Sequence, residues 1–223
     1  METNVGMLQQ AKKPSLFGMI ASPSVQFERM KGKTSLALPM VVMLILQAIL
    51  GGAIAYLASK DPAVLEMQKD LPSDFEVPVA VTVGFGAGGA AVAALVMYFI
   101  MAAFYKIMMV FMGNDTPYGK LLAISVYTSI IGVVGIAINI LLMFAFGGYE
   151  PTYTSLAPLF EKGTVLYGIA SAFEVFSIWS LVVTALGLRI VAGLSNKQAT
   201  TVVIVIFLIT LAFTSASSFI PQP

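Results

Sequence analysis

Apolar residues in this chain fall into long runs separated by short polar stretches. Five runs are long enough to cross a bilayer, which takes about 20 mostly apolar residues in a helix. They cover about 36–59, 79–112, 121–146, 165–189 and 200–220. The second is longer than a straight crossing needs, so it is expected to tilt or to continue past the membrane as helix. A break near Gly84 to Gly89 would strand backbone groups in lipid, so one long helix is expected there. The pattern predicts an all-α, polytopic membrane protein with five transmembrane helices.

Ahead of the first run lies "SLFGMIASPSVQFERMKGK". Leu16, Phe17, Met19 and Ile20 precede Pro23, and Val25, Phe27 and Met30 follow it. The apolar positions recur at steps of three and four, with Glu28, Arg29 and Lys31 between them. This is the pattern of a short amphipathic element lying in the membrane interface. Phe17, Pro23, Phe27 and Arg29 are its candidate interfacial residues. The competing expectation is a tail without fixed structure.

Composition agrees with a membrane location. Of 223 residues 58% are hydrophobic and 10% are charged, against about 25% charged in an ordinary soluble domain. There is no cysteine and no histidine. That excludes thiolate nucleophiles, disulfides, Cys/His metal sites and histidine acid–base chemistry. The N-terminus is not expected to be a signal peptide, because residues 1–10 are polar and the first long apolar run begins near Leu36.

Charge sets the expected orientation. With five crossings, one side holds the N-terminal segment and the loops after the second and fourth spans. Nine basic residues lie there: Lys12, Lys13, Arg29, Lys31, Lys33, Lys106, Lys120, Arg189 and Lys197. The other side has three, Lys60, Lys69 and Lys162, with most of the acids. The positive-inside rule then puts the N-terminus in the cytoplasm and the C-terminus outside.

One acid interrupts the fourth run, in "SAFEVFSIWS". Glu174 is placed about 15 Å from the outer end of that span at 1.5 Å per residue. A carboxylate so deep is unfavourable unless it is paired or wet, and such residues face a bundle interior. Neutral Glu174, hydrogen-bonded across helices, is the expected state. Asn139, Gln47, Tyr127, Ser129 and Tyr98 are the candidate partners. Three roles stay open: a fold determinant, a proton or cation site in a transport path, and a contact for a partner helix.

Other motifs carry less. Gly84, Gly86 and Gly89 fit G-x-G-x-x-G, but the acid that would bind ribose is missing at the right distance. Close helix packing is the better reading, with Gly84/Gly88 and Gly86/Ala90 as small-xxx-small pairs. Trp179 lies mid-span, where packing explains it. The acidic stretch from Ser59 to Pro78 lacks calcium-loop spacing and reads as a solvated loop or short helix. In "GNDTPYGK", Asp115 or Thr116 is expected to cap the third span.

These residues resemble a family. "SLFGMIASPSVQFERMKGK" is similar to the opening of Yip-domain (YIPF-like) membrane proteins, and "ASAFEVFSIWSLVVTALGLRIVAGLSNKQAT" to the bacterial form of that domain. The matching positions are Glu174, Trp179, Gly187-Leu188, Leu194-Ser195, Lys197 and Ala199. The family often has Asp where this chain has Glu174. The resemblance implies a cytoplasmic tail over 1–15 and a five-helix membrane domain over 16–220. It implies vesicle traffic for eukaryotic members, and export systems or envelope stress for bacterial ones. No long Pro/Gln-rich extension is present, which points to the bacterial or archaeal form. The expectation is a non-enzymatic accessory or scaffold protein of a prokaryotic plasma membrane. Its partners would be the lipid bilayer, other membrane proteins and further copies of itself, with no nucleic acid and no cofactor. The alternative is a small proton- or cation-coupled transporter or channel that uses Glu174.

Overall fold

The computed structural model describes residues 13–32, 34–69, 77–146 and 152–217. Within them the chain is all-helical. Nine α-helices follow one another: α1 Gly18–Ala21, α2 Pro23–Met30, α3 Ala37–Ala58, α4 Pro62–Lys69, α5 Val79–Phe111, α6 Tyr118–Phe146, α7 Val165–Ser171, α8 Val175–Ile190 and α9 Asn196–Ser217. A 3-10 turn, Ala157–Leu159, lies between α6 and α7. Four helices (α3, α5, α6 and α9) are long and apolar enough to cross a membrane. The pair α7 and α8, bent by 46°, makes a fifth if it counts as one span.

Local chemistry sets several ends. Gly113, at φ +68°, follows α5. Asn114 N–H donates to Met109 O at 2.8 Å and Gly113 N–H to Val110 O at 3.1 Å. This double closure needs a left-handed residue, which glycine supplies without strain. Ser195 and Gln198 form a reciprocal cap on α9: Ser195 N–H donates to Gln198 Oε1 and Gln198 N–H to Ser195 Oγ. Thr164 Oγ1 accepts from Tyr167 N–H at the start of α7.

The contacts divide the chain into two units. The first comprises Met1–Met43, Val96–Gly132 and Phe176–Ile209. Its core holds Met19, Phe27, Met30, Met109, Leu121, Ile124, Ile131 and Leu188, all buried. Phe27 is therefore a core residue rather than an interfacial one. Its ring lies 2.8 Å from where a Cβ on Gly187 would sit, with Ile124 on the same spot at 3.0 Å. The small Gly187 leaves the room that the ring fills. Phe17, by contrast, is 67% exposed and stays available to an interface. Pro23 takes the first position of α2, where its missing N–H is harmless. Arg29 Nη1 donates to Gln26 Oε1 at 3.1 Å, and the same oxygen accepts from Ser15 N–H. Phe27, on the face that periodicity alone gives to the interface, thus ties the N-terminal segment into the unit.

A polar knot closes the loop between α5 and α6. Asn114 Nδ2 donates to Ala192 O at 2.8 Å, and Asn114 Oδ1 accepts from Thr116 N–H and Oγ1. Lys106 Nζ meets Asp115 Oδ1 and Thr116 O, each at 3.1 Å. Asp115, expected as a cap of the third span, instead pairs with Lys106.

The second unit comprises Leu44–Leu95, Val133–Val175 and Thr210–Pro223. It relies on backbone approach. A Cβ on Gly51 would lie 2.6 Å from Gly86 O, and one on Gly86 would lie 2.9 Å from Gly51 O. Ala90 and Ala55 complete that seam between α3 and α5. Among the described residues nothing lies within 4 Å of a Cβ placed on Gly84 or Gly88. The seam uses Gly86 and Ala90, while Gly84 and Gly88 line an open groove with Phe85 and Val81. The two pairs differ by two positions, about 200° around a helix, so both cannot meet one neighbour.

Candidate functional site

The fourth apolar run does not form one helix. It is helical over α7, loses the helix at Ala172–Glu174, and resumes as α8. Ala172 and Phe173 N–H groups turn to Ile169 O and Ala170 O, three residues back, which tightens the last turn. Glu174 sits at the break, immediately before the first residue of α8. Continuous helix was expected through this point, and the departure has a physical cause. Val175 N–H donates to Thr154 O at 3.2 Å, so the loop after α6 supplies an acceptor that the broken helix lacks. Broken helices are tolerated at membrane depth where protein satisfies the freed backbone groups.

The same threonine holds the carboxyl group. Thr154 Oγ1 donates to Glu174 Oε1 at 2.7 Å. It accepts in turn from Asn139 Nδ2 at 2.8 Å, and Thr154 N–H donates to Asn139 Oδ1 at 3.0 Å. Asn139 Nδ2 also donates to Gly135 O one turn back on α6. Asn139 is buried. One amide, one hydroxyl and one carboxyl group thus join α6, the loop and the break. A threonine hydroxyl carries a single proton. With Asn139 donating to it, that proton is directed to Glu174, whose Oε1 acts as acceptor.

Of the expected partners of Glu174, Asn139 reaches it through one intervening side chain. Gln47 is half-buried on α3 and joins the network by no hydrogen bond among the described residues. Tyr127 and Ser129 use their hydroxyls elsewhere, toward Pro14 O at 3.4 Å and Val126 O at 2.7 Å. Tyr98 Oη is buried and has no hydrogen-bond partner among the described residues. Trp179 stacks on Phe176 with ring centroids 6.4 Å apart, a packing contact one helical turn long. Thr154 is the residue that sequence reading missed. It lies in "PTYTSLAP", outside every apolar run, and a loop hydroxyl carries no signal that it will reach a carboxyl group 20 positions on.

The network offers hydrogen bonds and one titratable group. Among the described residues no three His, Cys, Asp or Glu side chains gather as metal ligands. Asn139, Thr154 and Glu174 make a set that can fix a bend or hold one proton.

Comparison with known proteins gives the lineage. Residues 17–217 match the model of the Yip1 domain. The chain is also similar to "Membrane protein YknW" of Bacillus subtilis (strain 168), 32% identical over 228 residues, covering 99% of this chain and 97% of that one. No solved structure matches. With the domain match spanning nearly the whole helical array, the chain belongs to the Yip1-domain family, as a multi-pass integral membrane protein.

Proposed function

We propose that this protein works without chemistry of its own, as an accessory or scaffold protein that contacts other membrane proteins. The observation that carries this reading is the use made of Glu174. Its carboxyl group is engaged by a loop threonine, which a buried asparagine holds in turn. The one acid that lies inside an apolar run among the described residues is thereby used to fix a helix break. The long helices meanwhile keep apolar side chains exposed, including Leu38, Ile45 and Ile49 on α3 and Phe85 and Val92 on α5. Such faces suit lipid and neighbouring helices alike. The nine-to-three distribution of basic residues supports a cytoplasmic N-terminus in a prokaryotic plasma membrane. An export or envelope-stress assembly is the setting that the family suggests.

The test is site-specific photocrosslinking in native membranes, from Ile45 and Phe85. The scaffold reading expects discrete protein adducts that recur between preparations. Adducts to lipid alone from both positions count against it.

A second reading has an observation of its own. Transporters build their sites where spans are broken and place ionisable groups there, and Glu174 stands at such a break. Proton-coupled transport needs the titratable proton, and glutamine lacks it. Glu174→Gln with normal melting and lost cellular function would count against the scaffold role of this residue. Normal melting with full function removes the proton site.

A further inference from the structure

The first unit holds a cavity of about 210 Å³ among α5, α6, α8 and α9. Its wall mixes apolar side chains with hydroxyls from three helices. Tyr98 and Tyr105 come from α5, Ser125 and Thr128 from α6, and Ser180 and Thr184 from α8. Tyr98, Tyr105, Ser125, Thr128 and Thr184 are all buried. Among the described residues no Asp, Glu, Lys or Arg lines the cavity. Thr128 lies ten residues into α6, about 15 Å along its axis.

Three buried side-chain polar atoms lack a hydrogen-bond partner among the described residues, and two of them belong to this cavity: Tyr98 Oη and Thr128 Oγ1. Tyr105 and Thr184 are bonded to each other. Buried hydroxyls without partners are costly, and a bound molecule is one way to satisfy them. Hydroxyls both donate and accept, so their natural ligand does the same. With no lining charge, an ion would give up its hydration for neutral dipoles alone, which disfavours it. The volume holds about seven waters at about 30 Å³ each, or one molecule of glycerol size with some water.

We propose that this cavity is an intramembrane binding site for uncharged, hydroxyl-bearing molecules: a resident water cluster, or a short polyol that takes its place. The site is independent of Glu174 and of the scaffold reading.

Radiolytic hydroxyl-radical footprinting of the full chain in lipid nanodiscs, in ¹⁸O-labelled water, tests occupancy. Radicals form from bound water, so Tyr98 should be oxidised at least about fivefold more than Met43 and Met109, which are fully buried elsewhere. Thr128→Val removes one unpartnered hydroxyl and is isosteric. If the cavity is filled, the variant loses a contact to its occupant, and melting should fall by about 2 to 4 °C. If the cavity is dry, the variant relieves an unsatisfied group and melts at or above wild type. Oxidation of Tyr98 no greater than that of Met109 overturns the proposal, and so does a Thr128→Val protein at or above wild-type melting. The source is read from Ser180→Cys in this cysteine-free chain. Its methylthiolation should slow in glycerol but not in sucrose if a polyol enters, and should be equal in both if water alone fills the site.

Discussion

Thr154 Oγ1 has one proton and two neighbours, and that arithmetic decides what happens when either is changed. Thr154→Val leaves Asn139 Nδ2 with only Gly135 O and takes away one donor to Glu174 Oε1. Intramembrane hydrogen bonds average about 0.6 kcal/mol, and an unsatisfied buried partner adds about 1 kcal/mol or more. The variant should lose about 1 to 2 kcal/mol, read as a lower melting temperature in detergent, while Thr154→Ser should stay near wild type. Glu174→Gln keeps an acceptor oxygen in the same place, so its melting should also stay near wild type. Glu174→Leu removes the acceptor and should fall toward Thr154→Val. If Thr154→Val and Glu174→Leu each cost stability and the double variant costs no more than either alone, the two side chains act as one unit. Full additivity would mean that the bond contributes nothing.

At the scale of elements, the glycines separate packing from composition. Gly51 and Gly86 lie on the seam between α3 and α5, where an added methyl meets backbone oxygen. Backbone cannot yield as a side chain does, so Gly51→Ala should destabilise by about 1 to 3 kcal/mol. Gly88→Ala meets nothing within 4 Å and should be neutral or stabilising by up to about 1 kcal/mol through helix propensity. Comparing the two melting temperatures checks the assignment, and equal losses would sink it. Phe27→Ala should cost about 3 to 5 kcal/mol as a large-to-small change in a full core, whereas Phe17→Ala should leave melting in detergent nearly unchanged. The sequence showed the spans because length and apolarity are local properties of a run. It could not show which small residues meet, since Gly84 and Gly86 differ only in the face they present. It misplaced Phe27 for a related reason: an apolar face at helical period reads the same whether lipid or protein covers it. The break at Ala172–Glu174 was hidden more deeply. That stretch contains neither Pro nor Gly, and the acceptor that replaces its helix bond comes from Thr154.

At the scale of the whole molecule, orientation is a statement about charge rather than contacts, and it is open to a direct test. The basic residues divide nine to three between the two sets of loops. Lys and Arg resist translocation far more than Asp and Glu, so the richer set is expected inside. The structure engages some of these residues locally. Lys106 pairs with Asp115, Lys120 Nζ donates to Lys31 O, and Lys31 pairs with Glu28. Exposed pairs of this kind are weak, so they do not cancel the bias. Because the chain has no cysteine, single cysteines report sidedness without background. Cysteine in place of Lys162, in the loop before α7, should react with a membrane-impermeant thiol reagent on intact cells. Cysteines in place of Ser15, ahead of α1, or Asn196, at the start of α9, should react only after lysis. The prediction depends on α7 and α8 together making one crossing. Were the bent pair a re-entrant hairpin, Lys162 and Asn196 would lie on the same side and label alike. Opposite labelling of those two positions therefore counts the fourth crossing, and the sign of the difference gives the orientation.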